Sequence, residues 1–230
     1  MADAFAERAD TQRQSDQAFE RIKSAIILCQ LPPGAHFSEA EVSSRYGLAR
    51  AAARAALMRL AEVRLVQPVP RHGFVVTPIT IVSIRELFEL RLMTEPKAAA
   101  LATGNVDVAS LRAINRSPQH AGSDADQLAF VESNRAFHRY IAAAAGNSRL
   151  FHLLESLADE MQRLVHLGLF GPTGSETERR HADAQHEALL AAFEAGDAEA
   201  AESAARVHIE HSRGLAMDSI INGRSPLSLG

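Results

Sequence analysis

"SEAEVSSRYGLARAAARAALMRLAEV" runs from Ser38 to Val63, and two helices with the turn between them can be read from it directly. Ser38 followed three residues later by Glu41 is a capping box, in which the hydroxyl accepts from the Glu41 N–H and the carboxylate reaches back to the Ser38 N–H. The helix begun there runs to Tyr46. Gly47 then ends it, because glycine enters the left-handed region without a Cβ penalty. The next helix begins near Ala49 and continues through Val63. Arg50 and Arg54 are four residues apart and share one face, while Leu57 and Leu60 lie on the face that packs inward. Two short helices about a tight turn, the second carrying outward arginines, is the helix-turn-helix layout, whose second helix enters the major groove of DNA.

The flanks extend the pattern. Upstream, "DQAFERIKSAIILC" (16–29) repeats Phe19, Ile22 and Ile26 at helical spacing, and "LPPG" (31–34) closes it with a turn. Downstream, "RLVQPV" and "GFVVT" are β-prone and flank Pro70, Arg71, His72 and Gly73, a hairpin or wing. The charge divides along the same line. Between Val42 and Val76 six arginines (Arg45, Arg50, Arg54, Arg59, Arg64, Arg71) stand against the single acid Glu62, whereas residues 78–230 hold fourteen Lys/Arg against twenty Asp/Glu. The net charge of −4 therefore hides a basic module that suits a polyanion, joined to an acidic one with another task.

Beyond Pro78 the sequence is helical almost throughout. Six segments, 80–102, 107–115, 126–145, 148–170, 177–195 and 197–221, predict an all-α antiparallel bundle, with Gly146–Asn147 and Gly196–Asp197 as tight turns. The fold class expected is mainly α, a winged helix-turn-helix with a small β wing followed by that bundle. The expected division is a flexible tail over 1–14, the DNA-binding domain over 15–77, the helical effector-binding and dimerisation domain over 78–222, and a C-terminal tail over 223–230. Alanine dominates the apolar share and tryptophan is absent, a helical composition. No apolar run reaches membrane-spanning length, and the first residues carry acids where a signal peptide carries basic and apolar ones, so no membrane partner and a cytoplasmic location are expected. The single Cys29 is consistent with a reducing compartment.

Three of the ten histidines recur on different helices of the bundle: His138, His186 and His208. Facing helices build metal sites from such inward side chains, and Asn134, one turn before His138, could bring its amide oxygen to the same point. Hydrogen-bonded core or surface imidazoles are the competing reading. His120, His152, His166, His181 and His211 fall in no pattern, and surface or capping roles are expected of them.

The stretch "LPPGAHFSEAEVSSRYGLARAAARAALMRLAEVRLVQPVPRHGFVV" resembles the winged helix-turn-helix of GntR-family bacterial transcription regulators. The resemblance implies DNA-contact positions at Arg50, Arg54, His72 and Gly73, to which the basic module adds Arg45 and Arg71. The chain departs from the usual Ser-Arg-Thr-Pro-Val-Arg-Glu-Ala-Leu at "ARAAARAAL", losing hydroxyls at Ala49 and Ala51 and a core-sized valine at Ala53, and Ala40 stands where some relatives carry arginine. Fewer hydroxyl contacts to phosphate are expected, with alanine methyls left to meet thymine methyls. "FELRLMTEPKAAALA", "NRAFHRYIAAAAGN" and "AQHEALLAAFEAGDAEAAESAARVHI" resemble the FCD ligand-sensing domain of the FadR-like branch of that family. That likeness implies a divalent ion of the Zn, Ni or Mn kind on His138, His186 and His208, with Asn134 where the family has Asp, and a carboxylate effector near Arg91 and Glu95.

Three functions follow as expectations. The first is a homodimeric repressor on a palindromic double-stranded operator, modulated by a small carboxylate. The second is a metal-dependent hydrolase, although "HEALL" after His186 lacks the second histidine of HExxH and no acid stands out as a general base. The third is a metal sensor without an organic effector.

Overall fold

The computed structural model describes residues 2–115, 123–171 and 174–222, and for residues 2–12 the backbone only. His120 and the tail expected at 223–230 lie outside the described residues. The chain divides into two compact units, one ending at Ile79 and the other starting at Thr80, within a few residues of the boundary read from Pro78.

In the first unit, helices α1 (Ala2–Ile27), α2 (Glu39–Tyr46) and α3 (Arg50–Glu62) pack with a three-stranded antiparallel sheet of β1 (His36–Phe37), β2 (Val66–Val69) and β3 (Gly73–Val76), in the order β1-β3-β2. Residues 2–14, expected as a tail, continue α1 instead, since "ADAFAERADTQRQ" carries four alanines, two arginines, two glutamines and a glutamate, all good helix formers. Strand β1 was not legible in "LPPGAHF": only pairing with β3, His36 opposite Val75 and Phe37 opposite Phe74, makes two residues a strand. The capping box at Ser38 forms in both directions, with Glu41 N–H donating to Ser38 Oγ at 3.1 Å and Ser38 N–H donating to Glu41 Oε2 at 2.7 Å. Gly47 is left-handed at φ 61°.

The core of this unit is apolar and complete: Ile22 and Ile26 of α1 meet Leu57 and Leu60 of α3, with Leu65, Val66, Phe74 and Val76 beneath them. Ala53 is fully buried in the position read as underfilled. Arg59 bridges α3 to α1, donating to Asp16 Oδ1 at 2.7 Å while its guanidinium lies 4.3 Å from the Phe19 ring centre.

The second unit comprises α4 (Ile81–Ala102), α5 (Val108–Ile114), α6 (Asp124–Ala144), α7 (Ser148–Phe170), α8 (Glu176–Ala195) and α9 (Ala198–Ile221). Side-chain caps start α4 to α9 at Thr80, Asp107, Ser123, Asn147, Ser175 and Asp197, which is why their beginnings were readable to within a few residues. Helix α6 starts earlier than expected because Ser123 and Asp126 form a capping box. Helix α4 packs along α9, and α6, α7 and α8 surround that pair. Alanines at 99, 102, 201 and 205 let the helices approach closely around Phe137, Leu189, Leu190 and Phe193.

At the wing, Arg71 (φ 67°) and Gly73 (φ 85°) take left-handed backbone. A Cβ on Gly73 would fall against the Phe37 carbonyl oxygen, far inside van der Waals contact. Gly73 is thus required by the close approach of β1 to β3. We expect Gly73→Ala to destabilise the first unit by about 1–3 kcal/mol, read as a lower denaturation midpoint, whereas Gly34→Ala, which meets nothing within 4 Å, costs less.

Candidate functional sites: a nucleic-acid face and a buried histidine centre

The outward face of α3 presents Arg50, Ala51, Arg54, Ala55 and Met58 to solvent, while Ala52, Ala53, Ala56, Leu57 and Leu60 are buried. The Arg54 side chain is 71% exposed and only loosely associated with Glu39, 3.9 Å away. Two unencumbered guanidiniums framed by methyl groups suit guanine edges, phosphates and thymine methyls. Met58, 48% exposed, joins this face and was missed because a methionine among alanines reads as core. Ala49 caps α3 with no side-chain hydrogen bond, leaving its first-turn N–H groups free of a side-chain acceptor. Arg45 is exposed but tethered, donating to the Gln30 carbonyl at 3.3 Å and lying over Tyr46. Arg71 and His72 are exposed at the tip of the wing, whereas Gly73 serves the wing's backbone.

In the second unit, His138 on α6, His186 on α8 and His208 on α9 converge, with ring centres 4.7–5.4 Å apart and one donor atom of each within 4.8 Å of the others. His186 and His208 are buried. Each ring is held from its Nδ1 side. His186 Nδ1 lies 2.7 Å from Asn115 Oδ1, His208 Nδ1 3.0 Å from Gln185 Oε1, and His138 Nδ1 3.3 Å from Glu95 Oε2. Oxygen acceptors at Nδ1 place the proton there and leave Nε2 with its lone pair. The Nε2 atoms of His138 and His186 are buried without a hydrogen-bond partner. Burial first, and then the neighbouring His138, holds His186 well below the usual imidazole range; His208 is lowered likewise by burial and by His186, His138, Arg91 and His211. Neutral imidazoles with oriented, unpartnered nitrogens are the form that ligates a metal, and this donor set fits a divalent transition ion.

Beside the histidines opens a cleft with about 540 Å³ of space, continuous with solvent and lined by Arg91, Asn134, Arg135, His138, Met161 and Gln162. Asn134 also lines a neighbouring cavity with His208 and His211. Arg91 is buried and forked by Glu95: Nε donates to Oε1 and Nη2 donates to Oε2 at 3.2 Å. Burial would raise the Glu95 carboxyl, but Arg91 and the hydrogen bond from His138 outweigh it and hold the group far below the usual carboxylate range. The remaining Arg91 edge, Nη1, faces Met161 Sδ at 3.5 Å. The arginine near which a carboxylate effector is expected therefore has its fork engaged by Glu95.

Several residues of the centre carried no sequence signal. Asn115 ends α5, and only the fold brings it to His186; Gln185 precedes His186 in the chain but serves His208. Arg135 joins the cleft through a 2.9 Å contact to Asp159, with its Nε buried and unpartnered, and the Gln162 carbonyl is likewise unpartnered. Phe137 stacks on His186 at 4.1 Å, fixing the plane of the ring.

A winged helix-turn-helix followed by a helical unit with a buried histidine centre and a cleft beside it defines a class, the transcription regulators that couple DNA binding to a separate second domain. Residues 14–76 match the bacterial regulatory proteins of the gntR family and residues 86–211 match the FCD domain, so the chain belongs to the GntR family of DNA-binding transcription regulators and is not an enzyme. The transcriptional repressor RspR of Escherichia coli K12 is 26% identical over 203 residues, 87% of each chain. A probable D-xylose utilization operon transcriptional repressor of Paenarthrobacter nicotinovorans is 25% identical over 209 residues, 90% of each. Among solved structures, Escherichia coli McbR/YncC superposes with a TM-score of 0.74 at 24% identity, covering 90% of this chain and 98% of that one, a likeness of fold. The regulator expectation replaces the hydrolase.

Removing one partner of a buried ion pair strands the other. Glu95→Gln is expected to cost about 3 kcal/mol or more in urea denaturation, because Arg91 loses its counter-charge. The double variant Arg91→Met/Glu95→Leu should lose less than the sum of its single changes.

Proposed function

We propose that the protein is a homodimeric, cytoplasmic repressor whose grip on a palindromic operator is altered by a small carboxylate bound in the second unit beside a divalent metal. The observation that carries this reading is the pair of buried, unpartnered Nε2 atoms of His138 and His186, held by oxygen acceptors behind them and bordered by the arginine-lined cleft. His138, His186 and His208 would hold the ion, with Asn134 where the family has Asp. A bound ion supplies Lewis-acid positions that an anionic oxygen can complete.

The chain's own residues determine which anion fits. Arg91, forked by Glu95, offers its Nη1 edge, and Arg135 offers its unpartnered Nε from the neighbouring wall of the cleft. Two guanidiniums on the walls suit a carboxylate or dicarboxylate. Asn134 in place of an aspartate leaves the three neutral histidines and a divalent ion at +2 rather than +1, so the pocket holds the ion less tightly and draws an anion more strongly. Metal and effector then bind with positive and reciprocal coupling.

Calorimetric titration of mono- and dicarboxylic acids into metal-free and metal-loaded protein measures that coupling. Tighter binding with metal is expected, with a weaker response in Asn134→Asp; equal affinity with and without metal, or a tighter effector in Asn134→Asp, sinks the effector reading. Metal alone changing operator affinity, with no acid binding, would leave a pure metal sensor. Asn115→Ala, which removes the acceptor behind the His186 ring and a long 3.5 Å contact to Glu187, should weaken metal affinity roughly 10–100-fold, measured by chelator competition.

On DNA, Arg50→Ala and Arg54→Ala are each expected to weaken operator binding by about 1–3 kcal/mol where the arginine reads a base. A phosphate contact would instead show as a shallower dependence of affinity on salt. Gel-shift titrations unchanged in both variants would remove α3 as the reading helix.

A further inference from the structure

Helices α8 and α9 bring a second set of metal-capable side chains together, distinct from the histidine centre. Glu178 and His181 lie one turn apart near the start of α8, and His211 meets them from α9, one turn beyond His208. His211 Nε2 is 3.1 Å and His181 Nδ1 3.8 Å from Glu178 Oε2, and the three donor atoms lie within 4.8 Å of one another. The side chains of Glu178 and His211 are 27% and 28% exposed and that of His181 61%, so water reaches the cluster from one side.

Two features separate this cluster from an ordinary surface ion pair. Glu178 Oε2 and His211 Nε2 are buried atoms that make no hydrogen bond although they are 3.1 Å apart: the ring nitrogen is not directed as an N–H···O donor. Both atoms are left as unsatisfied ligand-capable atoms beside one another, which a shared cation would satisfy. The spacing also fits: zinc bonds of about 2.0–2.2 Å in tetrahedral geometry set neighbouring donor atoms roughly 3.3 Å apart, between the two separations observed. The His181 and His211 rings meet edge to face, centres 5.8 Å apart.

We propose that Glu178, His181 and His211 form a second, solvent-accessible site for a zinc-class divalent ion that clamps α8 to α9. One carboxylate and two neutral imidazoles leave a bound divalent ion at +1, with a fourth position open to water. Ordering a largely exposed His181 costs side-chain entropy, so the site is weak. It does not rest on an ion at His138, His186 and His208, and no other part of the proposed function uses these residues.

The test is zinc stoichiometry on untagged full-length protein, by native mass spectrometry and by competition with a chromophoric chelator. Wild type is expected to hold one more ion per chain than Glu178→Gln/His181→Ala. His181→Ala alone, at an exposed position where folding is not at risk, should weaken that ion at least tenfold. His138→Ala/His186→Ala, which dismantles the buried centre, should retain it, and adding His181→Ala to that background should remove it. Zinc content and affinity unaltered by Glu178→Gln and His181→Ala would overturn the proposal, as would loss of all zinc on dismantling the buried centre alone.

Discussion

An imidazole can enter a helical core only if it arrives neutral and finds an acceptor for the one proton it keeps. That constraint organises the second unit. His186 and His208 are buried among alanines and leucines, where a charged ring would forfeit its hydration, and burial accordingly drives both toward the neutral form. Their protons are accepted by Asn115 and Gln185, side chains from α5 and α8, so several helices must be in place before the rings can be. The three rings then converge, with the Nε2 atoms of His138 and His186 buried and unpartnered, an arrangement unfavourable by itself and sensible around a cation.

Glu95 is the hinge of the same arrangement. Its carboxylate satisfies Arg91 on one side and faces the His138 ring on the other, so a single buried anion sets the direction of an imidazole and the availability of a guanidinium. The geometry that results is specific: the Arg91 fork is engaged, and its outer edge and the Arg135 Nε are the guanidinium groups left on the cleft residues. The shape of this cleft therefore depends on α7, which supplies Asp159 to hold Arg135 and Met161 to border Arg91.

The first unit follows a different economy. Its core is closed by large aliphatic and aromatic side chains from α1, α3 and the sheet, and the outward surface of α3 is stripped to alanine, arginine and one methionine. Small side chains on such a face would let a helix lie close in a groove, with the two arginines as its polar groups. The wing is held by backbone geometry at Arg71 and Gly73, which leaves the Arg71 and His72 side chains outside.

The local signals in the sequence determined much of this. Capping residues such as Ser38, Thr80 and Asn147, the left-handed glycines 47 and 196, and the helical spacing of apolar residues act within one or two turns of chain, so the existence of the helices, their starts apart from that of α1, and the three-histidine set were legible to within a few residues without any tertiary contact. The resemblance to the GntR and FCD patterns rested on the same local order. What the sequence could not determine lay across helices: that β1 exists, that Gly73 answers to the Phe37 carbonyl, that Asn115 holds His186, that Glu95 engages the Arg91 fork, and that His181 and His211, patternless in one dimension, meet Glu178. Hydrogen bonds and ion contacts act over about 3–4 Å in space, and only packing brings residues 33 or 71 positions apart within that reach.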